Sequence, residues 1–211
     1  MKLEIQDLRP EPIPEASVRD SSVWGANLTL GKGQRCLVAA ESGRGKSTLL
    51  HVLCGIRRDY SGVILLDGKE VAMLLDSDWT DLRAKRISLL FQDLRLFPNL
   101  TGRENLALLP QSGETAHPLD FMASRLGLEE HLDKPCSLLS HGQRQRVALI
   151  RALARPFELL LLDEPFSHLD EENAQRACEL IEEELDYRGA SLLLTSLGDK
   201  PDLALSQEWK L

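Results

Sequence analysis

Arg35-Cys-Leu-Val-Ala-Ala-Glu-Ser-Gly-Arg-Gly-Lys46-Ser-Thr-Leu-Leu50 is the stretch on which the fold turns. Its apolar first part suits a strand buried on both faces. Gly43 and Gly45 then let the backbone curl, so that successive N–H groups converge on one anion. A helix opening near Lys46 adds the positive end of its dipole. In such a loop Lys46 pairs with the β- and γ-phosphates of a nucleotide, and the Ser47 hydroxyl ligates Mg²⁺. Ala40, Glu41, Ser42, Gly43, Arg44, Gly45, Lys46, Ser47 and Thr48 are therefore the candidate cradle. The full loop pattern has glycine where this chain has Ala40. If that position needs a positive φ, alanine costs about 1 kcal/mol.

Working outward, the chain alternates strand and helix patterns. Strands are expected at Leu28–Leu30, Arg35–Ala39, Gly62–Leu66, Ile87–Phe91, Leu159–Leu162 and Ser191–Thr195. Helices are expected after Lys46, across Leu119–Leu126, from Ser140 to Ala154 and from Leu169 to Tyr187. Alternation of this kind predicts an α/β fold with a mostly parallel sheet. From Leu94 to Leu153 the pattern is helical and proline-punctuated, which reads as a lobe inserted between two strands. Thr101-Gly-Arg-Glu104 has the form of a capping box and marks a helix start.

Two further elements carry chemistry. Leu159-Leu-Leu-Leu-Asp163-Glu164 is a buried strand ending in two acids. The carboxyl end of a parallel strand borders the ligand crevice. There Asp163 can hold Mg²⁺ through water, and Glu164 can polarise an attacking water. Leu139-Ser140-His141-Gly142-Gln143 precedes an apolar-periodic helix. Ser140 and Gln143 form a capping box, and the same helix end with an unobstructed Gly142 N–H is also an anion site.

The formal net charge of −8 argues against a nucleic-acid footprint, which needs a basic face. Arg83, Lys85 and Arg86, and Arg144, Arg146, Arg151 and Arg155, read as solvated helix faces. Cys36, Cys54, Cys136 and Cys178 form no CxxC pair and read as buried thiols of a reducing compartment. Residues 1–14 are polar and proline-rich, without the apolar core of a signal peptide. The apolar runs are far shorter than the roughly 20 residues of a membrane span.

Taken together, these motifs resemble the ATP-binding cassette (ABC) ATPases. The phosphate loop matches their Walker A motif, and Gln92 in Leu90-Phe-Gln-Asp93 matches the Q-loop glutamine. Leu139–Gln143 matches the signature sequence, with His141 where glycine is usual. Asp163 and Glu164 match the Walker B aspartate and catalytic glutamate, and Ser167-His-Leu-Asp170 matches the D-loop. The segment Asp78–Leu109 looks most like the lipoprotein-release and cell-division branch. The resemblance implies a P-loop NTPase (RecA-like) α/β core, an antiparallel β-subdomain and an inserted α-helical subdomain. The core would comprise residues 1–91 and 154–211, and the helical subdomain residues 92–153. It also implies ATP and Mg²⁺ as ligands, with Ser47, Gln92 and Asp163 at the metal. Glu164, Gln92 and Ser196 are implied at the catalytic centre, and Ser140, Gly142 and Gln143 at the ATP of a partner copy. The implied partners are a second cassette and an integral membrane permease. Such a subunit is cytoplasmic and peripheral on the inner face of the membrane.

Two departures bear on turnover. Ser196 stands where the family has a histidine against the γ-phosphate, and a serine offers no cationic donor. Trp24 is the nearest aromatic residue to an adenine-stacking position, though its spacing favours packing in the β-subdomain. The alternative reading is a nucleotide-responsive regulatory module with little hydrolysis.

Overall fold

The computed structural model describes every residue except 12, 14–17, 109–114 and 199. Two sheets divide the strands. An antiparallel sheet has the order β2-β1-β4-β5, from β1 (Leu3–Pro10), β2 (Asn27–Leu30), β4 (Tyr60–Leu66) and β5 (Lys69–Glu70). The second sheet has the order β6-β7-β8-β3-β9, from β3 (Arg35–Ala39), β6 (Ile87–Leu90), β7 (Leu159–Asp163), β8 (Ser191–Ser196) and β9 (Gln207–Lys210). Every pairing in it is parallel. Parallel neighbours need crossovers, and these are helical. The helices are α1 (Lys46–Leu53), α2 (Asp76–Lys85), α3 (Gly102–Ala107), α4 (Leu119–Arg125), α5 (His141–Leu153) and α6 (Glu171–Arg188).

The parallel sheet is apolar on both sides at its centre, where β7 and β8 carry unbroken leucine runs. Leu37, Leu160, Leu162, Leu192 and Leu194 enter one core with residues of α4, α5 and α6. Cys36, Val38, Leu159, Leu161 and Leu193 enter the other, with α1 and the antiparallel sheet. The helical stretch between the adjacent strands β6 and β7 therefore shares its core with one sheet face. Leu106, Met122, Leu126 and Val147 lie in the same cluster as Leu160 and Leu194.

Helix ends follow the capping chemistry expected of them. Thr101 Oγ1 accepts from Glu104 N–H while the Glu104 carboxylate accepts from Thr101 N–H, which starts α3. The reciprocal pair of Ser140 and Gln143 starts α5.

Three of the four arginines on and just after α5 depart from the expected solvated face. Arg151 donates to the carbonyls of Leu94 and Arg95, at 2.5 and 2.7 Å. Arg146 donates to Leu126 O and Asn173 Oδ1, and Arg155 to Arg83 O. Burial pulls all three guanidinium groups below their ordinary pKa. Their long stems reach past the helix surface to carbonyls that no regular ladder satisfies.

Candidate active site

The phosphate loop runs from the end of β3 into α1. Gly43 and Gly45 have φ of 79° and 100°, in the left-handed region that β-carbons resist. Ala40 does not carry a positive φ, so alanine there entails no backbone strain. No side chain caps the start of α1, which leaves its first N–H groups to an anion. Trp24 packs beneath the loop, with its ring 3.0 Å from where a Gly45 β-carbon would lie. It is 3% exposed and belongs to the core of the antiparallel sheet, so its ring faces are not open to a base.

Lys46, 5% exposed, extends back along the loop. Its Nζ donates to Ala40 O at 2.8 Å and Glu41 O at 3.1 Å. It also lies 3.1 Å from Glu164 Oε1. The expected phosphate ligand and the expected water-activating carboxylate thus form an ion pair across the site.

Beside this pair lies a hollow of about 290 Å³, lined by Ser47, Gln92 and Asp163 together with His51, Phe91 and Arg95. Ser47 Oγ and Gln92 Oε1 are 3.4 Å apart. A hydroxyl, an amide oxygen and a carboxylate form the hard oxygen set that suits Mg²⁺, which binds few protein ligands and completes its shell with water and phosphate. Burial lowers the pKa of His51 beside the hollow.

The backbone at Glu164 is unusual. Its φ is 48°, a left-handed value for a non-glycine residue. Glu164 N–H donates to Thr195 Oγ1 at 3.1 Å, and Thr195 Oγ1 donates to Asp163 Oδ1 at 2.8 Å. The Glu164 carbonyl accepts from Gln145 Nε2 at 3.0 Å and from Ser167 Oγ at 3.1 Å. Thr195 is wholly buried and Gln145 nearly so. Neither stood out in the sequence. The available signal was a hydroxyl at the end of an apolar strand and an amide on the apolar side of α5.

Ser196 and Glu164 both line a cavity of about 810 Å³ that also includes the turn Pro165–Ser167. The signature residues lie elsewhere. Ser140 and Gln143 cap their own helix, and neither they nor Gly142 line the two cavities beside Lys46 and Glu164. Gly142 abuts the turn after β7, where a β-carbon would meet His168 O at 2.8 Å. The His141 and His168 rings lie 3.8 Å apart above that contact.

The model of the family described as ABC transporter matches residues 23–167. The chain belongs to the ABC transporter family. It is 36% identical over 182 residues to the lipoprotein-releasing system ATP-binding protein LolD 1 of Caulobacter vibrioides, covering 83% of this chain and 77% of that protein. It is 37% identical over 175 residues to the thiamine import ATP-binding protein ThiQ of Haemophilus influenzae, covering 81% and 79%. Among solved structures it resembles the dimeric structure of MJ0796, a bacterial ABC transporter cassette. The TM-score is 0.77 at 23% identity, over 92% of this chain and 88% of that one. This likeness gives the chain the cassette's α/β fold over 92% of its length.

Proposed function

We propose that this cassette binds Mg-ATP in the Lys46 site, closes against a second copy on the nucleotide, and through that motion drives a membrane permease. The chain is an ATP-hydrolysing member of its family. The observation that carries the site assignment is convergence. Lys46 and Ser47 from α1, Gln92 just after β6, Asp163 at the end of β7 with Glu164 just after it, and Ser196 from β8 gather at the carboxyl ends of the parallel strands.

Ala40 to Thr48 would wrap the phosphates, and Ser47 and Gln92 would hold Mg²⁺, with Asp163 acting through water. The metal, when present, neutralises charge on the phosphate oxygens. Glu164 polarises the water that attacks the γ-phosphorus. The bond from that phosphorus to its bridging oxygen breaks, giving ADP and phosphate. Nucleotide entry recruits Lys46 to the phosphates, which releases Glu164 for this task. Ser140, Gly142 and Gln143, remote from the loop of their own chain, would complete the site of the partner copy.

Phe97 and Leu138, 57% and 74% exposed, support a docking face on residues 92–153. The bond from Ser137 N to Pro98 O sets them side by side. We assign this face to the permease, and residues 1–91 with 154–211 to the nucleotide-binding core. Among the described residues no helix is long and apolar enough to cross a membrane. A peripheral place on the cytoplasmic side fits such a subunit.

Size-exclusion chromatography of Glu164→Gln tests the reading. It is expected to run as a dimer with Mg-ATP and to lose turnover. A variant that stays monomeric at saturating ATP, or hydrolyses like the parent, refutes it. Ser196 favours a second reading, a responsive module of slow turnover. If Ser196→His raises phosphate release several-fold, the missing imidazole limits the rate.

A further inference from the structure

The turn that carries Glu164 is held by residues outside the nucleotide cradle. A left-handed φ at a glutamate is strained and persists only where neighbours over-determine it. Here two neighbouring elements do so, with Ser167 of the turn itself. From β8, Thr195 Oγ1 accepts the Glu164 N–H and spends its own proton on Asp163 Oδ1. From α5, Gln145 Nε2 holds the Glu164 carbonyl, assisted by Ser167 Oγ. The Thr195 hydroxyl donates one bond and accepts one, which fixes the direction of its proton. One hydroxyl therefore sets the distance between the backbone of Glu164 and the carboxylate of Asp163.

We propose that Thr195 and Gln145 are positioning residues: Thr195 ties the Asp163 carboxylate to the Glu164 backbone, and Gln145 ties that backbone to the signature helix α5. The inference rests on the reading of Glu164 as the group that activates water. Both residues act through Glu164 and Asp163 and leave the Lys46 loop untouched. Gln145 adds a consequence: α5 begins at Ser140, so displacement of that helix is transmitted to the Glu164 carbonyl of the same chain. Gly142 at the start of α5 also lies close to the turn after β7, where a β-carbon would meet His168 O at 2.8 Å.

The test compares Thr195→Val, Thr195→Ser, Gln145→Leu and Glu164→Gln in steady-state phosphate release, ADP calorimetry and thermal unfolding. Thr195→Val keeps the shape and removes the hydroxyl. It is expected to lower kcat ten- to hundred-fold, with KM and ADP affinity within three-fold of the parent. Thr195→Ser is expected to restore kcat to within three-fold. Gln145→Leu is expected to lower kcat about ten-fold with ADP affinity unchanged, and it carries the test alone if Thr195→Val does not fold. Parental kcat in a folded Thr195→Val or Gln145→Leu, or equal losses in Thr195→Val and Thr195→Ser, overturns the proposal. So does a loss expressed in ADP affinity instead of kcat. If Glu164→Gln itself turns over normally, the reading of Glu164 fails; if it is inactive while Thr195→Val and Gln145→Leu are not, only the positioning roles fail.

Discussion

The Lys46–Glu164 ion pair sets a measurable barrier to nucleotide binding. ADP must draw the Lys46 ammonium toward its β-phosphate and bring further negative charge beside the Glu164 carboxylate. The pair is 3.1 Å long between side chains 5% and 10% exposed, so solvent screens it little. A hydrogen bond to a charged group contributes about 1.5–3 kcal/mol net. Lys46 keeps two carbonyl acceptors, at 2.8 and 3.1 Å, which places the loss at the lower end. Replacing Glu164 by glutamine removes the charge while preserving the shape. About 1.5 kcal/mol of competition then disappears, and ADP should bind roughly ten-fold more tightly. Calorimetry with ADP reads this directly, because ADP is not hydrolysed. An affinity within two-fold of the parent, or weaker, refutes the idea that Glu164 competes for Lys46.

Three further outcomes are expected. Arg151→Met removes two charge-assisted bonds to the carbonyls of Leu94 and Arg95, residues that both carry positive φ. It should cost about 2 kcal/mol and lower Tm by roughly 6 °C in calorimetry. Hydrogen bonding from Arg86 holds the Glu158 carboxyl below its ordinary pKa. Its stabilisation is present above the unfolded value and is lost as pH falls through the folded one. The urea-midpoint gap between Arg86→Gln and the parent should therefore narrow from pH 7 to pH 3. Burial pushes the Cys36 and Cys178 thiols up to about 12 and Cys54 up to about 11. A disulfide reagent at pH 8 should leave these three unlabelled until the protein is denatured.

The sequence displayed the site more fully than the fold. The phosphate loop, Asp163, Glu164 and both capping boxes announce themselves because their chemistry demands particular residues at fixed spacing. The strand β1 does not. Leu3 and Ile5 alternate properly, but Asp7 at a φ of 47° and a register shift before Arg9 break the period, so the segment reads as polar and proline-rich. In α2 only Trp79 is buried, and in β9 only Trp209, so neither shows a periodic stripe. Ala40 raised a question of strain that the backbone answers, since its φ is not positive. The bonds of Thr195 and Gln145 to the Glu164 turn span 31 and 19 residues, which no local pattern can display.

The leucine run of β7 has one more consequence. Leu159 to Leu162 face leucines on β8 at nearly every position, and both sides of the sheet accept leucine. Sliding β7 by one residue would exchange its faces while leaving leucine against leucine, so hydrophobic burial alone barely distinguishes the alignments. What distinguishes them is the polar end of the strand. Only one alignment brings Asp163 opposite Thr195, where carboxylate and hydroxyl meet; any other breaks that bond. The acid proposed to serve the nucleotide would also proofread the folding of the strand that carries it.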